Sequence, residues 1–311
     1  MIKTPLVIVT PVYEDTESLY QLAEKIESIY HDQVTLIAVE DGSLHHIIDV
    51  NQFPKRMNIH ILRLKRNVGH QKAIAIGLSF LEDKIIDTTK VVIMDSDGED
   101  LPESINELIK PLEQEKVDIA VSVRKSRVES FKFKFFYHVY RLIFKFLTGY
   151  NIRFGNFMAL KLSSMKRLLN YTELSVHLAG TVILSKCRIN SVLIDRGPRY
   201  AGQSKMNFAG LVLHGMRALM IFADFVLVRL GLASLFFIGI IAIVIFSTIF
   251  LKGIGMATPG WFSIALGMLT ILLIQIAAFV LMFLMISRNK DDHKNQKNTL
   301  LDLISVAETN H

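Results

Sequence analysis

The sequence contains one cysteine, Cys187, among its 311 residues, so an intramolecular disulfide cannot form. This absence excludes a disulfide-stabilised secreted module and is compatible with a reducing compartment. Charge is scarce in one long stretch, because Lys252 is the only charged residue between Arg229 and Arg288. The mean hydropathy of the whole chain, +0.36, is high for a soluble protein. The scarcity of charge therefore indicates a protein with a membrane-embedded part.

Two apolar runs, residues 232–251 and about 261–286, occupy this charge-poor stretch. A helix needs about 20 apolar residues to cross a bilayer, and both runs reach that length. The alternative is a hairpin of buried helices in a soluble protein. Neither run has the amphipathic period that such helices usually show, so we predict two transmembrane helices. The N-terminal apolar run is too short for a secretory signal, and Pro5 and Pro11 bracket it.

The remaining charge is mostly basic, with a net charge of +6 and an isoelectric point near 9.2. This balance favours an anionic partner, which could be a nucleic acid, an anionic membrane face or a phosphorylated ligand. Nucleic acid does not account for the apolar runs, so we reject it. Basic residues precede the first run and follow the second, which places both termini in the cytoplasm by the positive-inside tendency. The basic residues that follow the second run are Arg288, Lys290, Lys294 and Lys297.

The first 200 residues alternate short apolar runs with segments of helical period. This pattern predicts an α/β fold with a mostly parallel sheet, in which ligands bind beyond the carboxyl ends of the strands. Two later segments, residues 130–150 and 208–230, mix apolar and basic residues in a pattern typical of amphipathic helices in a membrane interface. The predicted strands are residues 6–10, 34–40, 59–64, 90–95 and 117–123.

A cluster of carboxylates follows the fourth predicted strand, in the stretch DSDGED at 95–100. Asp95 and Asp97 have the spacing that can bring two carboxylates to one Mg²⁺ or Mn²⁺ ion. An EF-hand loop requires glycine at its sixth position, whereas Gly98 is fourth here. Asp100 and Glu103 are better explained as residues that begin a helix, where the helix dipole favours negative charge.

Four motifs occur in the order typical of one enzyme family: PVYED at 11–15, EDGS at 40–43, RNVG at 66–69 and DSDGED at 95–100. Together they resemble glycosyltransferase family 2, and most closely its polyprenyl-phosphate glycosyltransferases, which include dolichol-phosphate mannose synthase and bacterial undecaprenyl-phosphate sugar transferases. The segment RYAGQSKMNF at 199–208 is similar to the Arg-x-x-Gly-x-Ser-Lys segment of that group. The resemblance implies a nucleotide-diphospho-sugar transferase domain of the GT-A type, followed by interface helices and two transmembrane helices.

The resemblance also implies roles for residues at the matching positions. Two departures from the group's pattern leave the sugar open: DSDGEDLP replaces Asp-x-Asp-Leu-Gln-Asp-Pro, and Gly155-Asn156-Phe157 replaces Gly-Asp-Phe. The implied metal ligands for Mg²⁺ or Mn²⁺ are Asp95, Asp97 and Glu99. The implied donor-binding residues are Pro11, Tyr13, Asp15, Asp41, Asn67, Gly69, Ser96 and Ser204. The implied catalytic residues are Asp97, Arg124, Arg199 and Lys205.

We therefore expect an inverting transfer of a sugar from a UDP- or GDP-linked donor to a polyprenyl phosphate, with undecaprenyl phosphate as the expected acceptor, at the plasma membrane. A lipid phosphate is already anionic at pH 7 and needs no strong base, whereas a lipid alcohol such as diacylglycerol would need one. That acceptor and a non-catalytic scaffold that only binds sugar nucleotide remain alternatives. A processive polysaccharide synthase is disfavoured, because Trp261 lacks a Gln-x-x-Arg-Trp context.

The expected domain organisation has four parts, and homo-oligomerisation is left open. They are a cytoplasmic catalytic domain (1–207), an amphipathic juxtamembrane helix (208–230), a two-helix transmembrane hairpin (231–287) and a solvated cytoplasmic tail (288–311).

Overall fold

The computed structural model describes two compact units. The described residues are 1–124, 131–201, 208–256, 260–287 and 296–310. The first unit, called the sheet unit here, consists of Met1–Phe133, Ile152–Ile221 and His293–His311. The second unit, called the helical unit, consists of Lys134–Asn151 and Phe222–Asp292.

The described part of the sheet unit contains an eight-stranded sheet. In chain order the strands are β1 (Leu6–Val12), β2 (Val34–Glu40), β3 (Asn58–Leu64), β4 (Lys90–Ile93), β5 (Ile119–Arg124), β6 (Met158–Lys161), β7 (Ile189–Ile194) and β8 (Ile304–Thr309). Their order across the sheet is β7-β5-β6-β4-β1-β2-β3-β8. The pairs β1–β2, β1–β4, β2–β3 and β5–β7 are parallel, whereas β6 and β8 run antiparallel to their neighbours. The predicted α/β class with a mostly parallel sheet is confirmed.

Helices cover both faces of the sheet, because the side chains of a strand alternate between its faces. In β1, Val7 and Val9 belong to one apolar cluster, and Leu6 and Ile8 belong to the other. Each cluster is completed by helices packed on its side of the sheet. The helices in chain order are α1 (Thr16–Tyr30), α2 (His70–Leu81), α3 (Ile105–Ile109), α4 (Phe131–Thr148), α5 (Leu162–Leu169), α6 (Leu178–Leu184), α7 (Phe208–Ile221), α8 (Ala223–Gly253), α9 (Trp261–Ser287) and α10 (Gln296–Leu301).

The five predicted strands correspond to β1 to β5. Since β1, β2, β3 and β4 are parallel, their carboxyl ends meet at one edge of the sheet. The loops that follow β1, β2, β3 and β4 carry the PVYED, EDGS, RNVG and DSDGED motifs. The fold therefore brings the four motifs to a common edge, as the strand pattern predicts.

The prediction of a solvated tail is wrong for residues 296–310, the part of the tail that the structure describes. Residues 296–309 form α10 and β8, and β8 pairs antiparallel with β3. Leu300 of α10 is buried in the core cluster that contains α2. The polar composition of residues 289–298 suggested a tail, but the short strand after them carries too few apolar residues to be recognised from sequence. The catalytic-domain boundary at 207 is also corrected, since the sheet unit includes α7 and this C-terminal segment.

The helical unit contains two helices, α8 and α9, that are long and apolar enough to cross a membrane by length and composition. Arg229 at the start of α8 donates hydrogen bonds to the carbonyl oxygens of Lys145 and Phe146, which lie in the last turn of α4, where carbonyls lack helical partners. Gly149 follows with φ +83°, and a Cβ atom there would collide with the Arg229 guanidinium. Arg229 therefore caps α4 and joins it to α8.

The predicted single helix over 208–230 is divided in two, because α7 ends at Ile221 and α8 begins at Ala223. Between them, Phe222 has ψ 21° and is fully buried among aromatic side chains of the helical unit. Helix α7 is amphipathic, since Ala218 and Ile221 are buried, and the Ile221 side chain lies next to Gly180 of α6. Its other face exposes four large apolar side chains: Val212, Leu213, Met216 and Met220.

Candidate active site

The carboxylate loop, residues 95–100, is held at the sheet edge by contacts with the end of β1. The backbone N–H of Met94 donates to the Val9 carbonyl oxygen at 3.2 Å, which continues the β1–β4 pairing toward the loop. The Ser96 hydroxyl is buried and donates to the Pro11 carbonyl oxygen at 3.4 Å. Ser96 and Pro11, both expected to bind the donor, therefore hold the loop against β1.

Two arginines of the segment 196–200 pair with the carboxylate loop. Arg199 contacts Asp97 (Nη2–Oδ2 2.8 Å) and Glu99 (Nε–Oε1 3.0 Å). Arg196 makes a second ion pair with Glu99. The backbone adds two hydrogen bonds between the same segments, from Gly197 N to Glu99 O at 3.0 Å and from Tyr200 N to Asp97 O at 2.8 Å. We call this set of contacts the arginine clamp.

The clamp explains both unusual residues of DSDGED. Gly98 has φ +89°, a conformation that favours glycine, and a Cβ atom there would lie 2.7 Å from the Tyr200 ring. Glu99 supplies the negative charge that the two arginines meet. Glycine and glutamate in place of leucine and glutamine thus fit the segment that packs on the loop.

The site concentrates negative charge on partly buried side chains. Burial raises the pKa of Asp100 well above its usual range, and the neighbouring Asp95 carboxylate raises it further. Burial also raises the pKa of Asp97, with Asp95 adding to the effect. For Asp95, burial opposes ionisation, but His70 and Arg124 outweigh it and hold the pKa below its ordinary value. Positive charge is therefore what keeps Asp95 ionised.

His70, the first residue of α2, belongs to the site and was missed by the sequence analysis. Its Nε2 lies 3.2 Å from Asp95 Oδ1 and 2.9 Å from the side-chain amide of Asn156. Asn156 accepts from Gln71 at 3.0 Å, and Gln71 accepts from the backbone N–H of Leu178 at 2.6 Å. The signal available in the sequence was the His-Gln pair that follows RNVG. Asn156 stands where the resembling group has the aspartate of Gly-Asp-Phe, so an amide lies beside this histidine in place of a carboxylate.

The Asp95 side chain fits a divalent cation. Its Oδ1 atom is buried and has no hydrogen-bond partner, although His70 approaches it. His70 lies 3.2 Å from this oxygen, and a carboxylate oxygen has lone pairs for a further positive group. Oxygen ligands of this kind suit Mg²⁺ or Mn²⁺, which bind through one or two carboxylates plus substrate phosphates. Among the described residues, no three acidic, histidine or cysteine side chains are already grouped as a metal site.

Asp41, Gly42 and the RNVG loop form one packed corner of the same edge. The Asp41 carboxylate is buried and accepts from the backbone N–H groups of Val68 at 2.7 Å and Gly69 at 2.9 Å. Burial raises the pKa of Asp41 above its ordinary value against these hydrogen bonds. At Gly42, with φ +67°, a Cβ atom would lie 2.5 Å from the Asn67 nitrogen. In this structure Asp41 positions the RNVG loop, and its contact with a donor stays a prediction.

The PVYED motif surrounds the start of α1. Asp15 is the N-cap of this helix and accepts from the Ser18 N–H at 3.4 Å. Tyr13 is 45% exposed at the sheet edge. Glu14, which the sequence analysis did not select, adopts φ +49° and accepts from the backbone N–H groups of Leu44, His45 and His46. Glu14 therefore ties the loop after β1 to the loop after β2.

The structure describes two of the three predicted catalytic cations, Arg124 and Arg199. Arg124, at the end of β5, is exposed and close enough to Asp95 to lower its pKa. Arg199 lies in the arginine clamp, together with Arg196, which the sequence analysis did not select. No local pattern distinguishes Arg196 from other basic residues, because its partner Glu99 lies far away in the chain. Ser204 and Lys205 lie outside the described residues.

Comparison with known proteins gives several related sequences. An uncharacterized glycosyltransferase of Synechocystis is 30% identical over 215 residues, which are 65% of this chain and 64% of the relative. YkoT, an uncharacterized glycosyltransferase of Bacillus subtilis, is 27% identical over 213 residues, which are 64% of this chain and 62% of the relative. The chain thus spans slightly less than two thirds of the length of these relatives.

Solved structures with a similar fold include two glycosyltransferases. Glucosyl-3-phosphoglycerate synthase of Mycobacterium tuberculosis, in complex with Mn²⁺, UDP-glucose and phosphoglyceric acid, has a TM-score of 0.49 and 16% identity, covering 72% of this chain and 80% of that one. The mannosyltransferase PcManGT of Pyrobaculum calidifontis, in complex with GDP-mannose and Mn²⁺, has a TM-score of 0.44 and 16% identity, covering 75% and 64%.

The family itself follows from the sequence profile. Residues 7–165, just over half of the chain, match the profile of glycosyl transferase family 2. This range includes β2 to β6, all of β1 except Leu6, and all four motifs at the sheet edge. The chain belongs to glycosyl transferase family 2.

Proposed function

We propose that this protein is a membrane-bound, metal-dependent glycosyltransferase that moves a sugar from a nucleotide-diphospho-sugar to a polyprenyl phosphate with inversion. The observation that carries the proposal is the arginine clamp on the carboxylate loop, in a chain whose next two long helices are apolar enough to span a membrane. It puts carboxylates for a cation and guanidinium groups for phosphates at one sheet edge.

Asp95 and Asp97 would hold the Mg²⁺ or Mn²⁺ ion. That ion would neutralise the charge that develops on the nucleoside diphosphate as it leaves. The Oδ1 of Asp95, which accepts no hydrogen bond although His70 lies 3.2 Å away, supports this assignment. Glu99 is a weaker candidate ligand, since it pairs with Arg196 and Arg199. The metal site of this proposal therefore has two protein carboxylates, with Glu99 as a residue that orients the arginines.

The cations of the site would bring two anions together. A phosphate needs charge-assisted hydrogen bonds, and arginine provides them in a planar, bidentate arrangement. Arg196 and Arg199 lie at the carboxylate loop, where they pair with Glu99 and Asp97, and Arg124 lies near Asp95. Lys205, in the segment that follows Arg199, is proposed for the same role from its motif. A lipid phosphate attacks as an anion, so these cations replace the strong base that a lipid alcohol would require.

The membrane location is supported by three features of the chain. Helices α8 and α9 are long and apolar enough to span a bilayer. Helix α7 exposes an apolar stripe that suits a membrane surface. Strand β8, which follows α9, pairs with β3 in the sheet that precedes α8. If both long helices cross the membrane, the chain must return to the side on which it began, and the basic flanks favour the cytoplasm as that side.

The direct test is a product assay with purified protein in detergent. Polyprenyl phosphate or diacylglycerol is incubated with a panel of UDP- and GDP-sugars, and the lipid fraction is analysed by mass spectrometry. We expect one glycolipid with a phosphodiester-linked sugar, which disappears in EDTA and in the variant Asp97→Asn. Asp32→Asn, an exposed carboxylate in the turn before β2, is the matched control and should keep full activity. Full activity in EDTA would refute the metal assignment, and a product on diacylglycerol would refute the acceptor.

A further inference from the structure

We propose that Glu308, on the C-terminal strand β8, is a positioning residue for the donor site, acting through Arg63 and Glu40 on the loop that follows β2. The proposal rests on the proposed function only in taking that loop, with Asp41, as part of the donor site. It assigns a role to a strand that lies beyond the two long helices and beyond the matched family profile.

The first step joins β8 to β3. The Arg63 guanidinium contacts Glu308 with two nearly parallel hydrogen bonds, Nε–Oε1 at 3.2 Å and Nη2–Oε2 at 2.9 Å. This fork geometry fixes the plane of the guanidinium as well as its position. The Arg63 pairing also lowers the pKa of Glu308, so the glutamate is ionised at neutral pH.

The second step joins Arg63 to the loop after β2. Its Nη1 pairs with Glu40 Oε2, and its Nη2 donates to the Ile48 carbonyl oxygen at 2.7 Å. Glu40 in turn accepts from the Ile48 N–H through Oε1 at 3.0 Å. Arg63 and Glu40 therefore hold both backbone polar groups of Ile48. The loop between Glu40 and Ile48 contains Asp41, which positions the RNVG loop.

We call the contacts from Glu308 through Arg63 to Glu40 the Glu308 relay. The exposed fraction of the side chains decreases from Glu308 to Glu40. The side chains of Glu308, Arg63 and Glu40 are 37%, 18% and 4% exposed. A carboxylate as buried as Glu40 needs a well-oriented partner, because a buried charge without one is strongly destabilising. Arg63 can serve Glu40 and Ile48 at once only when its plane is fixed. Glu308 supplies that orientation from the solvent side.

Strand β8 does not depend on Glu308 for its attachment. Its backbone pairs with β3 from His60 to Leu64. The Asn310 side chain accepts from Ile59 N at 3.1 Å and donates to the Met57 carbonyl oxygen at 2.5 Å. Replacing Glu308 should therefore leave the strand in place. A change in the loop that follows β2 would then result from the lost Glu308 contacts and not from the loss of a strand.

The test compares Glu308→Ala and Glu308→Gln with the control Arg188→Ala. Arg188 makes a similar bidentate pair with Asp118 near β5 and β7, away from the loop that follows β2. Hydrogen exchange of the Ile48 amide and the KM and kcat for the sugar nucleotide are measured on the full-length protein. In Glu308→Ala we expect Ile48 to exchange about 10-fold faster and the donor KM to rise about 10-fold, with kcat within about twofold.

Glu308→Gln keeps an acceptor without the charge and should show a smaller change of the same kind, while the control should match wild type in both measurements. Unchanged Ile48 exchange in Glu308→Ala would overturn the relay. Faster exchange with an unchanged donor KM would overturn the positioning role. If the wild type turned over no sugar nucleotide, the proposed function would fail, and Ile48 exchange alone would decide whether the relay exists.

Discussion

At the scale of single residues, the carboxylate loop is shaped by its two unusual members. Gly98 permits a positive φ and the close approach of Tyr200, and Glu99 receives both arginines of the clamp. Gly98 and Glu99 can affect activity without contacting a substrate. Their substitution should act through the geometry of Asp97, which lies beside them.

Gly98→Leu, which introduces the residue that the resembling group commonly has, should destabilise the protein. Leucine at φ +89° is strained, and its Cβ would overlap the Tyr200 ring. Together these effects should lower the free energy of unfolding by about 1–3 kcal/mol, with most activity lost. Thermal unfolding in detergent measures the change. Gly231→Ala, in α8 where a Cβ atom meets open space, is the control, and an equal effect of both variants would contradict this account.

Arg199→Ala should leave the protein folded and membrane-bound but reduce glycolipid synthesis. The variant loses the charge-assisted contacts to Asp97 and Glu99 and one cation for phosphate. A contact worth roughly 1.5–3 kcal/mol corresponds to about a 10- to 150-fold lower rate. Arg217→Ala removes an equal charge from the exposed side of α7 and should keep a near-normal rate at saturating lipid. Equal rates for both variants would show that Arg199 acts only by attracting the membrane.

At the scale of elements, the ends of the sheet are held by ion pairs between strands distant in sequence. Glu308 joins β8 to β3 at one end, and Asp118 joins the starts of β5 and β7 at the other through Arg188. Each pair links segments that the chain connects only through long intervening regions. Their contributions to stability should therefore be separable by pH and by substitution.

The Asp118–Arg188 pair should contribute to stability above about pH 4 and lose that contribution in acid. The Arg188 guanidinium holds the pKa of Asp118 at about 2, below its ordinary value of 3.8. Because the folded-state pKa is lowered, protonation favours the unfolded chain as the pH falls from about 4 toward 2. Unfolding midpoints measured from neutral pH into this acid range should thus fall less steeply in Asp118→Asn than in wild type. Identical slopes would contradict the assignment.

At the scale of the whole molecule, the C-terminal strand constrains the topology of the chain. If α8 and α9 cross a membrane, they must do so an even number of times, because β8 belongs to the sheet that contains β1. This is a requirement of chain connectivity and does not depend on counting positive charges.

Reporter fusions at Met256 and after His311 should therefore lie on opposite sides of the membrane. Met256 is in the loop between α8 and α9, and His311 follows β8. The expected result places the Met256 reporter outside the cytoplasm and the His311 reporter inside it. Reporters on the same side would refute the hairpin.

The sequence predicts those parts of the molecule that local pattern determines. Continuous apolar runs predict β1 to β5 and the two long helices. The spacing of the DSDGED motif indicates Asp95 and Asp97 as candidate metal ligands. The pairing of Arg196 with Glu99 and of Glu308 with Arg63 could not be predicted, because each joins residues far apart in the chain without a local signal. Strand β8 was missed for a similar reason, since its six residues are a strand only through their pairing with β3.

We propose a lipid phosphate as the acceptor, and two acceptors that differ only in the phosphate group test this. Wild-type protein is given one sugar nucleotide with either a polyprenyl phosphate or the corresponding polyprenol, and sugar transfer to lipid is followed by mass spectrometry. We expect transfer to the phosphate only, with about a 10- to 150-fold lower rate in Arg199→Ala. Equal transfer to the free alcohol, or sugar nucleotide consumption without any glycolipid, would contradict it.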